Sequence, residues 1–385
     1  MPLLALQNPV VELSREQVER GSRHIMLPGL GVEGQQRLAA ARVLVIGAGG
    51  LGSPALQYLA ASGIGTIGIV DFDVVDTSNL QRQVIHRTSS IGEKKTASAA
   101  RGIAESNPLV DVHEHDLRLN SSNALDLFAG YDLILDGSDN FATRYLANDA
   151  AAMLGMPYVW GSVYRFDGQV TVFWENAPDG RSLDYRDLHP TPPAPGDVLS
   201  CDEAGVLGSV CGTIGSMMAT EAIKLITGVG EPLLGRVQTL DALAGDWREM
   251  RVSRSPGRQP VTGLIDYALF CGVPAAGNDD GATISVADLV ARGTDGIVDV
   301  RESFEWDIVR IEGATLLPLA ELLAEPGLVR ERVPASGRPV VVYCKSGVRS
   351  AAAVAALGKA GIDAVSLRGG IQSWLDLVDP DGQRY

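Results

Sequence analysis

The sequence predicts an α/β protein in two parts: a doubly wound, mostly parallel sheet, then a smaller α/β unit. Two observations predict it. Short apolar runs alternate with longer helix-forming stretches from Arg42 onward, the rhythm of parallel strands joined by crossover helices. That rhythm lapses in a stretch rich in Gly, Pro and Ala at 253–282 and then resumes. The 385 residues therefore divide into domains at 1–252 and 283–385, joined by a linker.

Taken in order, Ser14-Arg15-Glu16-Gln17 is a capping box, so a helix opens there and carries Arg20, Arg23 and His24. Strands are predicted at 42–46, 66–70, 110–115, 132–136 and 157–163, with helices near 52–62, 93–106, 121–128 and 141–154. The alternation Gln169-Val170-Thr171-Val172-Phe173-Trp174 then marks an antiparallel strand. A long stretch over 176–205, carrying Pro190, Pro192, Pro193 and Pro195, has no regular period and reads as a functional loop. A helix over 212–227 and strands at 236–241 and 247–252 complete the first part. Tyr267 and Phe270 predict some local order within the linker. The second part has strands at 296–300, 339–343 and 364–367.

Composition narrows the function classes. A hydrophobic content of 45% and a mean hydropathy of +0.10 suffice for packed cores. A net charge of −15 argues against nucleic acid or an anionic membrane as partner. No apolar run reaches membrane-spanning length, and Met1-Pro2-Leu3-Leu4-Ala5-Leu6 lacks the basic region of a signal peptide. Cys201, Cys211, Cys271 and Cys344 are widely spaced, so neither a disulfide framework nor a cysteine zinc site is expected. These features predict a cytoplasmic protein.

Two short segments carry the chemistry. The first begins with Gly47-Ala48-Gly49-Gly50-Leu51-Gly52, between the apolar run 43–46 and a helix. Glycines let backbone approach phosphate, and the helix N-terminus supplies N–H groups and partial positive charge. Asp71, at the end of the second strand, places a carboxylate near a ribose. Such a turn alone more often marks a dinucleotide site. The following Ser78-Asn79-Leu80-Gln81-Arg82-Gln83 has no role in hydride transfer, but suits a site that holds a triphosphate and stabilises charge on phosphorus. Lys94-Lys95 opens the next helix, and Asp136-Gly137-Ser138-Asp139-Asn140 ends the fourth strand. Singly, Arg82 or Lys95 is a solvated charge and Asp139 a helix cap. The ordered set points to adenylation.

Over residues 14–252 these motifs resemble the MoeB/ThiF family, ubiquitin-activating-type adenylyltransferases that charge sulfur-carrier proteins. The resemblance implies that ATP adenylates the C-terminal glycine of a ubiquitin-like carrier and releases pyrophosphate. It implies ATP contacts at Gly50, Asp71, Ser78, Asn79, Leu80, Gln81, Arg82, Lys95, Asp139 and Asn140. Asp71 would accept from ribose hydroxyls, Asn79, Arg82 and Lys95 would hold the polyphosphate, and Asp139 would hold Mg²⁺. A homodimer is implied, with Arg23 reaching the other protomer's site. Cys201 lies where the family carries a cysteine on a crossover loop, which implies a covalent link to the activated carrier. Cys211 and Cys271 read as small buried hydrophobes. Many family members bind structural zinc through two C-x-x-C pairs. Here Asp184 and Asp187 stand at the first pair, and the second falls at 258–262 without cysteine. No structural zinc is expected, since Asp184, Asp187 and His189 have no complementary ligands near 258.

The second segment follows the buried-strand run Val340-Val341-Val342-Tyr343: Cys344-Lys345-Ser346-Gly347-Val348-Arg349-Ser350, then an alanine-rich helix. A cysteine between strand and helix N-terminus aims its sulfur at backbone N–H groups, which favour the reactive thiolate. Lys345 and Arg349 add positive charge. The unit resembles a rhodanese sulfurtransferase, supported by Val298-Asp299-Val300-Arg301, Glu305-Trp306, Ile311-Glu312-Gly313-Ala314 and Arg368-Gly369-Gly370-Ile371 with Trp374. The loop 344–349 would then carry a persulfide on Cys344.

Together the parts resemble the fused adenylyltransferase/sulfurtransferases of the MoeZ type. That implies transfer of persulfide sulfur to the adenylated Gly-Gly terminus, giving a carrier thiocarboxylate and AMP. A cysteine desulfurase or thiosulfate would supply the sulfur, and molybdopterin biosynthesis is one pathway using such carriers. An NAD(P)-dependent oxidoreductase with an accessory domain leaves Arg82, Lys95, Asp139 and Cys344 unexplained. A thioester-forming activator for protein conjugation would give a conjugate as product. A non-catalytic scaffold is opposed by the intact Cys344 loop.

Overall fold

The computed structural model describes residues 6, 11–178, 180–193, 205–271, 282–334 and 337–384. The chain divides into two compact units, each built on its own sheet.

The first sheet contains β1 (Arg42–Ile46), β2 (Thr66–Val70), β3 (Asp111–His115), β4 (Leu133–Asp136), β5 (Tyr158–Tyr164), β6 (Asp167–Phe173), β7 (Arg236–Asp241) and β8 (Asp246–Arg251). Their spatial order is β3-β2-β1-β4-β5-β6-β7-β8. The strands from β3 across to β5 are parallel, and β6 to β8 add antiparallel. Helices cover both faces, which is why β1, β2 and β4 read as unbroken apolar runs. Winding reverses between β1 and β4, leaving a crevice at their carboxyl ends where open α/β sheets bind ligands. Among the described residues no helix is long and apolar enough to cross a membrane.

Several predicted elements differ in the structure, each for a local reason. The Ser14 capping box forms, but its helix ends at Arg20, and Arg23 and His24 lie in a separate helix, Ser22–Ile25. Gly21 breaks the pair where the Gln35 side chain packs, 2.8 Å from where a Cβ would stand. The helix predicted from 212 begins earlier, spanning Gly208–Thr227. Gly208 reads as a breaker, yet a Cβ there would lie 2.2 Å from the Gln81 carbonyl oxygen. Within the long loop, Asp184 and Asp187 close a capping box around a short helix, Tyr185–Leu188.

Residues 253–271, read from sequence as linker, pack on the first unit, which extends through Cys271. Tyr267 is buried and its hydroxyl donates to Asp149 at 2.7 Å. The Arg258 guanidinium pairs with Asp184, with Glu175 at 2.5 Å and with Asp187 at 3.1 Å, all largely buried. Ser255 N–H adds a bond to Asp187 at 2.9 Å.

The second unit holds a five-stranded parallel sheet in the order β11-β10-β12-β13-β9, with β9 (Thr283–Ile284), β10 (Ile297–Asp299), β11 (Thr315–Leu316), β12 (Val340–Tyr343) and β13 (Ala364–Leu367). The edge strands β9 and β11 span two residues each, too short to show a sequence period. Alternate residues feed opposite cores: Val298 and Val342 join one cluster, Ile297 and Val341 the other.

Candidate nucleotide and persulfide sites

The glycine turn leaves β1 at the crevice. Gly47 adopts φ +85° and donates to the Val70 carbonyl, tying the turn to the end of β2. Gly52 is forced by contact: a Cβ there would lie 1.8 Å from the Gly47 carbonyl oxygen. The loop after β4 packs beside the turn, with Gly52 N only 3.0 Å from where a Gly137 Cβ would stand. Parallel pairing of Ile46 with Asp136 sets that alignment.

Most of the nucleotide residues named from sequence converge here. Asp71 accepts from Ala48 N–H and from Asp73 N–H, both at 2.9 Å, so its carboxylate braces the turn while remaining partly accessible. Asp76 caps the 3₁₀ turn Thr77–Asn79, accepting from Ser78 N–H and hydroxyl, and Asn79 closes the box. Arg82 donates to the Ser78 carbonyl at 3.1 Å and lays its aliphatic stem 3.5 Å from a Gly50 Cβ position. Lys95 begins the helix Lys95–Ser106, is nearly buried, and pairs with Asp73 at 3.1 Å. Leu80 and Gln81 continue the same turn, and the Gly208–Thr227 helix seats against Gln81.

Asp139 is exposed in the loop between β4 and the helix Phe141–Leu154. The cap of that helix is Asn140, which accepts from Thr143 N–H at 2.9 Å, so capping does not occupy Asp139. Arg144, unnoticed in the sequence, donates to the Ser138 carbonyl at 3.1 and 3.3 Å and holds this loop from beneath. Cys211 is buried, with Sγ 3.0 Å from a Gly50 Cβ position. Arg23 stands apart from this group, exposed, with its guanidinium 4.0 Å from Met26 Sδ. Cys201 lies outside the described residues.

Asp184 and Asp187 direct their carboxylates to their own helix cap and to Arg258. His189 packs edge-on to Trp160 and tilted against Tyr185. Among the described residues no group of three or more His, Cys, Asp or Glu is placed to hold a metal ion.

In the second unit, β12 delivers Cys344 to a loop closed by the helix Val348–Lys359. Gly347, at φ +110°, turns its N–H onto Cys344 Sγ at 3.1 Å. Ser350 Oγ lies 3.7 Å from the sulfur, 2.8 Å from Ser366 Oγ and 3.0 Å from the Gly347 carbonyl. The N-terminal amides of the helix Gly370–Leu377 hold the loop from the other side: Ile371 and Gln372 donate to the Cys344 and Lys345 carbonyls at 2.9 and 3.2 Å. A Cβ on Gly370 would come within 2.4 Å of the Cys344 carbonyl oxygen.

Arg349 departs from the sequence expectation of an added charge at the sulfur. Its guanidinium is buried and bidentate to Glu305 at 2.7 and 2.8 Å, so its field is largely cancelled. Asp299 and Arg301 form a second buried pair. Thus Val298-Asp299-Val300-Arg301 and Glu305-Trp306 mark the ion pairs behind the loop rather than groups on the sulfur.

A phosphate-type turn at the switch point of one unit and a cysteine cradle in the other define the class: a nucleotide-using enzyme joined to a thiol-dependent one. Residues 21–261 match the ThiF family and residues 284–377 the rhodanese-like domain. A Mycobacterium tuberculosis protein named "Probable adenylyltransferase/sulfurtransferase MoeZ" is 55% identical over 99% of this chain and 98% of its own length. "Sulfur carrier protein adenylyltransferase" of Thermus thermophilus is 48% identical over 68% of this chain and 98% of its own. A crystal structure of E. coli MccB with MccA-N7isoASN shares the fold at TM-score 0.56 and 22% identity, covering 64% of this chain and 75% of that one. The chain belongs to the ThiF family and carries a rhodanese-like domain after the ThiF region.

Proposed function

We propose that the protein adenylates the C-terminal glycine of a ubiquitin-like sulfur-carrier protein and then converts it to a thiocarboxylate with sulfur from a Cys344 persulfide. One arrangement supports the reading: Arg82 packs beside Gly50 of the glycine turn and Lys95 pairs with Asp73, two residues after Asp71, while the same chain turns the Gly347 N–H onto Cys344 Sγ. The carrier carboxylate attacks the α-phosphorus of ATP and expels pyrophosphate. Arg82 and Lys95 offset the charge on the leaving group. Asp139, an exposed carboxylate with no cap to serve, fits Mg²⁺, which would neutralise phosphate charge. Cys201 displaces AMP to hold the carrier as a thioester, and the terminal persulfide sulfur then displaces the Cys201 thiolate from the acyl carbon, giving an acyl disulfide on Cys344. An external thiol attacks Cys344 Sγ and breaks that S–S bond, releasing the carrier thiocarboxylate and leaving a mixed disulfide on Cys344 that a second thiol reduces. Covalent linkage of both domains raises the effective concentration of persulfide at the adenylate.

Cys201 is the residue we assign to a covalent link with the carrier between these steps, and Arg23 the residue that completes the partner site in a homodimer. A cysteine desulfurase or thiosulfate loads Cys344. No structural zinc is needed, because Arg258 already joins the 184–187 turn to the segment a second cysteine pair would occupy.

Intact-mass analysis of Gly-Gly carriers incubated with the protein, ATP, Mg²⁺, thiosulfate and a thiol reductant tests the reading. Replacement of one carrier oxygen by sulfur, with release of AMP, is expected. A carrier that ends as a stable conjugate on another protein, or an unchanged carrier, overturns it.

A further inference from the structure

Ala48 lies in the middle of the glycine turn, and both its polar groups are held. Its N–H donates to Asp71 Oδ2 at 2.9 Å, and its carbonyl oxygen lies 3.0 Å from His86 Nε2. A carbonyl only accepts, so Nε2 carries the ring hydrogen, and Nδ1 accepts from the Ser98 hydroxyl at 2.9 Å. Ser53 Oγ adds a longer contact to the same carbonyl at 3.3 Å. His86 and Ser98 are 4% and 3% exposed. Burial lowers the His86 pKa, opposed by its bond to the Ala48 carbonyl and reinforced by the Lys95 charge.

The ring bridges two elements that the nucleotide needs in register. On one side is the turn containing Gly49 and Gly50. On the other is the helix Lys95–Ser106, which carries Ser98 one turn after Lys95. The peptide after Ala48 is trans, so its N–H points opposite to its carbonyl. With the carbonyl turned inward onto His86, the Gly49 N–H faces outward into the crevice. A glycine turn flips such a peptide readily unless something pins it.

We propose that His86 is a positioning residue for the nucleotide phosphates, pinning the Ala48–Gly49 peptide so that the Gly49 N–H meets phosphate and the turn keeps its distance from Lys95. This rests on the ATP-binding reading above. His86 itself touches no nucleotide, so its loss should weaken recognition of phosphate and leave recognition of the nucleoside.

The test measures binding of ATP, pyrophosphate and adenosine to the full chain by calorimetry, for wild type, His86→Leu and His86→Gln. Leu removes the shorter of the Ala48 carbonyl's two donors and leaves the Ser53 hydroxyl at 3.3 Å. Loss of one such hydrogen bond to the pinned peptide corresponds to about five- to tenfold in affinity. ATP and pyrophosphate affinity should fall by about that factor, with adenosine unchanged. Gln offers an amide donor to the same carbonyl and should restore ATP affinity to within about threefold of wild type. Should His86→Leu not fold, Ser98→Ala takes its place: it removes the ring's anchor and should lower ATP affinity severalfold. Unchanged ATP affinity in the Leu or Ala variant overturns the proposal, as does equal weakening of ATP and adenosine or failure of Gln to restore. Wild-type protein that binds no ATP overturns the adenylation reading instead.

Discussion

At the residue scale, the cysteine cradle works with neutral donors. Cys344 is fully buried, and Arg349, in the first turn of the helix that closes the loop, is neutralised by Glu305. Besides Lys345, next to it in the chain, Gly347 N–H, the helix N-terminus and the Ser350 hydroxyl are then left to stabilise a thiolate. Ser350 has a single hydrogen. With a protonated thiol it can donate to the Gly347 carbonyl; with a thiolate it can turn to the sulfur while Ser366 donates to it. A hydrogen bond to a charged acceptor corresponds to about 1.5–3 kcal/mol. Ser350→Ala should accordingly slow thiosulfate:cyanide turnover by about tenfold or more, and turnover equal to wild type would exclude this role. The Cys344–Arg349 spacing was legible in the chain, and so was the presence of Glu305. That one neutralises the other was not, because 44 residues separate them and nothing local signals the pairing.

At the element scale, the telling feature is Arg258. In sequence it is one cation among glycines and prolines, with no period around it, so the segment reads as linker. In the fold it meets Asp184 and Glu175 across separations of 74 and 83 residues. Burial raises the Asp184 pKa to about 6, while the Arg258 charge pulls it down. Arg258→Ala removes that pull and leaves three carboxylates crowded together. Breaking a buried pair in this way costs about 3–5 kcal/mol. The pH sign follows from linkage. A carboxyl with a raised folded pKa binds more protons folded than unfolded, so its contribution is present at low pH and lost as pH rises through the folded value. Without Arg258 that value moves higher, so the variant should lose most stability against wild type near pH 8 and less at pH 5.5. Urea unfolding at the two pH values checks this; a pH-independent difference would mean Asp184 does not titrate as described.

At the scale of the whole molecule, the alternation of buried strands was legible because both faces of a parallel sheet demand apolar residues. Several residues we assign to the nucleotide were legible for a related reason: Asp71 follows β2, Asp139 and Asn140 lie between β4 and a helix, and Lys95 opens a helix. His86, Arg144 and Arg258 act from behind and leave no such mark. Because the two chemistries lie on separate units, they should separate by mutation. Asp139→Ala should lower carrier-dependent ATP–pyrophosphate exchange by about 100-fold or more, since it removes charge stabilisation at the phosphates, and leave thiosulfate:cyanide turnover at the wild-type rate. Cys344→Ser should do the reverse. A hydroxyl neither takes up nor releases sulfane sulfur at neutral pH, so thiocarboxylate formation from thiosulfate should vanish while exchange persists. Added bisulfide should then restore part of the thiocarboxylate in the Cys344→Ser variant by attacking the acyl-adenylate directly, and none in Asp139→Ala, where little adenylate forms. If Cys344→Ser makes thiocarboxylate from thiosulfate at the wild-type rate, the second unit is not the sulfur donor and the proposed sequence of steps fails at its second stage.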